Sequence, residues 1–253
     1  MLERPANRRT VLGGALLTAT AAALALQARA AEVKPGEGPH IVLLGDSILD
    51  NGAYVGDGPD VVSQLRERLP SGGRATLAAM DGTVASGIGR QLDAAPHDAT
   101  HLVVSAGGND ALRYADVLGE GAASVGEALE KLATVREAFV QDYRAMLDAV
   151  VARGMPVAVC TIYDARFPDA RQRRLASTGL TIFNECITRE ASARGLAVID
   201  LRLICRSDQD LATPIEPSVK GGAKIASAIA AFAAEYDWRK GRSEVFVEAP
   251  SKA

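Results

Sequence analysis

From residue 40 to residue 238 the chain alternates between short apolar runs and longer stretches whose apolar positions recur every three or four residues. Ile41-Val42-Leu43-Leu44 is a continuous apolar run that stops at Gly45, the pattern of a strand buried on both faces. Residues 60–69 place Val61, Val62, Leu65 and Leu69 at helical spacing. A second strand is expected over 75–80, a second helix over 84–92 and a third strand over 101–105. Residues 124–153 carry long helical periodicity that stops at Gly154. A fourth strand over 157–163, a helix over 171–194 ending at Gly195, a fifth strand over 196–203 and a last helix over 221–238 complete the pattern. Strands alternating with helices predict a three-layer α/β sandwich around a five-stranded, mostly parallel sheet. No internal repeat or linker interrupts residues 40–238, so one domain is expected there. Residues 31–39 contain two prolines and two glycines and read as a loose segment; residues 239–253 are mostly polar and read as a mobile tail.

The first thirty residues have a different character. Arg8-Arg9 precedes an apolar run from Val11 to Leu26, followed by Gln27-Ala28-Arg29-Ala30. A charged start, an apolar middle and a small-x-small site make an export signal, and the paired arginines resemble the twin-arginine type. A periplasmic or secreted location is therefore expected. The run is short and weakly apolar for a spanning helix, so no stable membrane span is expected after processing. Removal of residues 1–30 leaves 24 basic and 30 acidic residues. That acidic balance, with 4% aromatic residues, argues against a nucleic-acid partner. Cys160, Cys186 and Cys205 are an odd set, and their spacing matches no CxxC metal pattern. Cys160 sits in an apolar run, where a small buried hydrophobe is the expected role. No metal or cofactor is called for, and oligomeric state is left open.

In parallel α/β sheets ligands bind at the carboxyl ends of strands. Those ends carry Gly45-Asp46-Ser47-Ile48, Asp81-Gly82 and Gly107-Gly108-Asn109-Asp110, with Pro214-Ile215-Glu216-Pro217-Ser218 before the last helix. Taken together and in this order, the segments resemble the SGNH (GDSL-type) hydrolases over most of residues 41–236. The resemblance implies an SGNH hydrolase/flavodoxin-like fold with Ser47 as nucleophile. It also implies an oxyanion site of the Ser47 and Gly82 backbone N–H groups and the Asn109 amide. The residues agree in part by themselves: a serine hydroxyl just past a buried strand is held by rigid backbone and can attack an acyl carbon once a base takes its proton. Glycine at 82 leaves no Cβ in a substrate's way. Read alone, Ser47 would be a helix N-cap or turn residue. No Gly-x-Ser-x-Gly elbow and no Gly-x-Gly-x-x-Gly occurs.

One position departs from the family. Its Asp-x-x-His motif is matched here by Thr213 and Glu216. The chain has three histidines; His40 and His101 precede strands at the opposite sheet edge from Ser47, and His97 lies in the loop before His101. Glu216 is then the candidate base, with burial beside Ile215 and Pro217 expected to raise its pKa toward neutrality. Asp208 or Asp210 would supply a third carboxylate. Asp46, Asp110, Tyr163 and Asp164 are placed around the substrate cleft, Asp46 and Asp110 also orienting their turns; for Tyr163 and Asp164 a structural turn, with Pro168 nearby, stays equally open. Ile48-Leu49-Asp50-Asn51 and Cys160-Thr161-Ile162-Tyr163-Asp164 look like a subfamily with glutamate at the histidine position. Three functions stay open: a serine esterase or acylhydrolase acting on a small ester or acylated saccharide; a catalytically weak or inactive ligand-binding protein on the same fold; and a partner-binding role for the 124–153 helix, whose mixed charges read as a solvated face.

Overall fold

In the computed structural model, which describes residues 38–247, six strands form one parallel sheet. They are β1 (His40–Gly45), β2 (Arg74–Leu77), β3 (His101–Ser105), β4 (Val157–Cys160), β5 (Ala197–Ile199) and β6 (Val245–Phe246), in spatial order β2-β1-β3-β4-β5-β6. The expected leader over 1–30, residues 31–37 and the last six residues of the expected tail lie outside the described residues. Among the described residues no helix is long and apolar enough to cross a membrane.

Strand alternation builds the layers. Ile41, Leu43, Val103, Ala158, Cys160, Ala197 and Ile199 face one core, while Val42, Leu44, Leu102, Val104, Val157, Val159 and Val198 face the other. The first core is covered by α1 (Val61–Arg68), the short α6 (Leu201–Ile204) and α7 (Val219–Glu235). The second is covered by α2 (Ile88–Asp93), α4 (Val125–Val151) and α5 (Ala170–Ala193), with α3 (Gly108–Arg113) following β3. Side chains start the long helices by accepting an otherwise orphaned N–H: Asp60 from Ser63, Ser124 from Glu127, Asp169 from Gln172 and Ser218 from Gly221. The chain leaves β1 toward β2 on one side and returns to β3 on the other. The β1/β3 gap is therefore the switch point at which parallel sheets bind ligands.

Several local features differ from the sequence expectation; the second strand, expected over 75–80, runs only from Arg74 to Leu77. The sheet has a sixth strand, inside the segment expected to be a mobile tail. Val198 N donates to Glu244 O (2.8 Å), Asp200 N donates to Phe246 O (3.0 Å), and the buried Phe246 ring packs on Phe232 and Tyr236. The fifth strand stops at Ile199, because Asp200 caps α6 by accepting from Arg202 N. The fourth stops at Cys160: the Asn184 side chain takes over both backbone groups of Ile162, accepting from its N–H (2.7 Å) and donating to its carbonyl (2.8 Å). Finally, α3 and the 3-10 turn Ala115–Gly119 occupy a region with no expected element.

Candidate active site

Ser47 follows β1 at a close crossing of backbones. A Cβ on Gly45 would sit 2.1 Å from the Ser105 carbonyl oxygen of β3, and Gly45 holds φ 140°, so only glycine fits there. The Gln91 side chain grips the same residue, accepting from Gly45 N (2.7 Å) and donating to Gly45 O (2.8 Å). Asp46 then turns the chain. Its Oδ1 accepts from Ile48 N (3.2 Å) and Ser105 Oγ (3.0 Å), and its carbonyl accepts from Leu49 N and Asp50 N. Ser47 is thus fixed by its neighbours on both strands.

The Ser47 hydroxyl donates to Glu216 Oε1 at 3.1 Å, across 169 residues of sequence. Glu216 is buried, and its Oε2 has no hydrogen-bond partner among the described residues. Burial pushes its carboxyl up to about 7; the Ser47 hydrogen bond opposes the rise and negative Asp81 adds to it. The turn carrying Glu216 is held from three sides. Thr213 Oγ1 accepts from Ile215 N (3.3 Å) and Glu216 N (3.1 Å), Ala212 N donates to Glu216 O (2.8 Å), and the Tyr163 hydroxyl donates to Ile215 O (2.7 Å). Thr213 therefore steadies the backbone of Glu216, where an aspartate partner would have steered its side chain.

The other strand ends converge. Asn109 Nδ2 donates to Thr83 O (3.1 Å), which occupies one of its two amide hydrogens. Asp110 is buried and accepts from Ala85 N, so it ties the turn after β2 to the start of α3. Gly82 stands on that turn at φ 78°, with open space where a Cβ would be. Asp81 N donates to Asp50 Oδ2 (3.0 Å) and Tyr54 OH donates to Asp81 Oδ2 (2.6 Å), which links the turn to the loop after Ser47.

A cavity of about 400 Å³ collects Asp46, Ser47, Asn109, Tyr163 and Glu216 on its lining. Gly82, Asp110 and Asp164 are not among its lining residues. Asp164 is exposed in a separate cleft with Arg166 and Arg173, where it accepts from Ser177 Oγ (2.7 Å); Tyr163 faces one space and Asp164 the other. Asp110 serves the turn and not the cleft. The expected third carboxylate is not found at Asp208 or Asp210: Asp210 accepts from Ser207 N and pairs with Lys224, and Asp208 pairs with Arg166. Asp210 supports the Glu216 turn through its carbonyl, which accepts from Ser218 N (2.9 Å).

The histidines take no part in this geometry. His40 bonds to Asp98 and Thr76, and His101 packs edge-on against Phe232 with burial pushing its imidazole down to about 4. Cys160, Cys186 and Cys205 are buried and form no disulfide. Among the described residues no group of three or more His, Cys, Asp or Glu side chains is arranged to hold a metal ion. Sequence reasoning did not find Ser105, Gln91 or Asn184. Gln91 and Asn184 bond backbone groups and Ser105 bonds the Asp46 carboxylate, each between elements far apart in the chain, for which no local pattern exists.

The arrangement suits acyl transfer: a hydroxyl, a carboxylate with a near-neutral pKa and an amide donor meet at one cavity. The fold has counterparts among solved structures. An extracellular lipase from Streptomyces rimosus superposes with a TM-score of 0.54 at 20% identity, covering 75% of this chain and 98% of that one. A lipase, Lip_vut3, from a goat rumen metagenome gives 0.58 at 18%, covering 75% and 94%, and phospholipase A1 from Streptomyces albidoflavus gives 0.56 at 17%, covering 75% and 97%. No curated protein sequence matches the chain. The model of the GDSL-like lipase/acylhydrolase family matches residues 43–224, most of the described chain. With six parallel strands and a Gly-Asp-Ser turn closing the first of them, the chain belongs to the GDSL-like lipase/acylhydrolase family.

Proposed function

We propose that the chain is a serine esterase in which Ser47 is the nucleophile and Glu216 its base. The observation that carries this reading is the 3.1 Å hydrogen bond from Ser47 Oγ to Glu216 Oε1 inside a cavity. As the Ser47 oxygen bonds to the acyl carbon, its proton passes to Glu216 and the carbonyl electron pair moves onto oxygen. That oxyanion is met by the free amide hydrogen of Asn109 and by the backbone N–H groups of Ser47 and Gly82. Collapse expels the alcohol, which takes the proton from Glu216 and leaves an acyl-serine. Water then gives a proton to Glu216 and attacks the same carbon; collapse breaks the bond to Ser47, whose oxygen takes that proton back from Glu216, releasing the acid and restoring the free serine and the carboxylate. A carboxylate titrating near 7 is a far better proton acceptor than one near its ordinary value of 4.5. Thr213 and Tyr163 keep the base at the right distance by holding its backbone turn.

A fluorophosphonate probe tests the reading. One label per chain at Ser47, lost in Ser47→Ala together with turnover of p-nitrophenyl esters, is the expected result. Absence of labelling alongside saturable ligand binding would replace the esterase with a ligand-binding protein on the same fold.

A further inference from the structure

The cavity at Ser47 is far larger than the reacting atoms need, and its walls away from Ser47 are mostly apolar, with Asp169, Arg171 and Gln172 at the start of α5 as the polar exceptions. It runs from Ser47 between the 3-10 turn Ala115–Gly119, the first half of α4 and the first half of α5. Leu118, Leu132, Phe167, Leu175 and Leu180 line it. Leu112 and Leu118 form an outer wall that is 48% and 40% exposed, so the space communicates with solvent along that side. A volume of about 400 Å³ falls in the range that encloses a whole small organic ligand.

One residue on the lining runs against local helix preference. Gly179 lies inside α5, two turns from its start, where glycine weakens a helix relative to alanine. Its usual justifications are missing: φ is not positive there, and a Cβ would meet nothing within 4 Å. No neighbour requires the missing side chain, and the space it leaves belongs to the cavity. Leu175, Ala176, Gly179 and Phe183 share one helical face, so α5 presents to the cavity a face that is hollowed at its middle.

We infer that the ester cleaved at Ser47 carries a long unbranched acyl chain lying along this face, and that Gly179 sets the length of chain admitted. The inference rests on the esterase reading above and adds the substrate class. A short acyl group such as acetyl would leave the apolar walls wetted, whereas each methylene drawn from water into them raises kcat/KM by about fourfold at full burial.

The test measures kcat/KM for p-nitrophenyl acetate, butyrate, octanoate and decanoate with the wild-type chain, Gly179→Ala and Gly179→Phe. The wild-type octanoate-to-acetate ratio should be about a hundred, allowing for incomplete burial. That ratio should fall at least about tenfold in Gly179→Phe and less in Gly179→Ala, since the larger side chain fills the space that the chain would occupy. A flat chain-length profile in the wild type, or an unchanged ratio in Gly179→Phe, would overturn the inference. Titration of decanoate into Ser47→Ala separates the two readings. Binding that Gly179→Phe abolishes, with no ester turned over by the wild type, would retain the acyl pocket and reject the esterase. Ester turnover without decanoate binding and without chain-length preference would do the reverse. Thermal melting of each variant, with the alanine variant expected to be at least as stable as the wild type, shows that lost binding is not lost folding.

Discussion

Two turns at the same sheet edge each bury one carboxylate beside Ser47, and they are built for different ends. After β1, Asp46 spends its Oδ1 on Ile48 N and Ser105 Oγ, joining two strands. Before α7, Glu216 receives only the Ser47 hydroxyl, and its second oxygen has no partner among the described residues. Burial raises both to about 7, so their proton affinity does not distinguish them. Their hydrogen bonding does: a satisfied carboxylate fixes structure, and one with an unpartnered oxygen is available for a proton. A raised pKa therefore identifies a functional acid only when read with the partners its atoms already have.

The sharpest break of that comparison is Glu216→Gln, which keeps an acceptor for Ser47 and removes the base. Its kcat/KM should fall by about 10²- to 10⁴-fold. The same change should stabilise the fold at pH 8. A carboxyl whose pKa is raised from 4.5 to about 7 by folding favours the folded state most when protonated. Its favourable contribution is complete below about 4.5 and is lost as pH rises to about 7. Removing the charge should recover up to about 3 kcal/mol at pH 8 and nothing at pH 4, read as the difference in melting temperature between the two pH values.

A smaller effect is expected from Asp46→Asn, which should cost no more than about tenfold in kcat/KM. Wild-type kcat/KM should rise with pH through about 7, because the base acts only when ionised. That limb should survive in Asp46→Asn and vanish in Glu216→Gln. Loss of the limb in Asp46→Asn would assign the titration to the wrong turn. The smallest effect is expected from Thr213→Val, which frees the N–H groups of Ile215 and Glu216. Loosening this turn should cost about 1 kcal/mol of stability and about fivefold in kcat/KM, with the position of the pH limb unmoved.

The parts of this molecule readable from sequence are those with a local signature. The run Ile41–Leu44 declared a strand buried on both faces, and its residues divide between the two cores as that reading requires. The 124–153 periodicity is the helix Val125–Val151, with Ser124 as its cap. The elements missed or overrun are those decided by partners distant in sequence. Cys160-Thr161-Ile162-Tyr163 reads as one strand, yet Asn184 from α5 captures the Ile162 backbone and ends the ladder. Leu201 and Leu203 extended the fifth strand on hydrophobicity alone, whereas Asp200 starts a helical turn there. Around Ser47 the strand-end segments are legible, and Ser47, Asn109 and Glu216 line one cavity. Asp164 reads as a cleft residue from its position after a strand, but the turn past Cys160 sends it to the other side. The hollow face of α5 was not legible at all: apolar residues at helical spacing look the same whether they face a core or a cavity.

The two-residue strand β6 also shapes how molecules meet. Among the described residues Val245 and Phe246 run beside β5. This pair covers the backbone of β5 that a bare rim would present to a neighbouring molecule. Trimming the polypeptide back to Gly241 would uncover Val198 and Asp200 and turn a sealed border into a seam for aggregation.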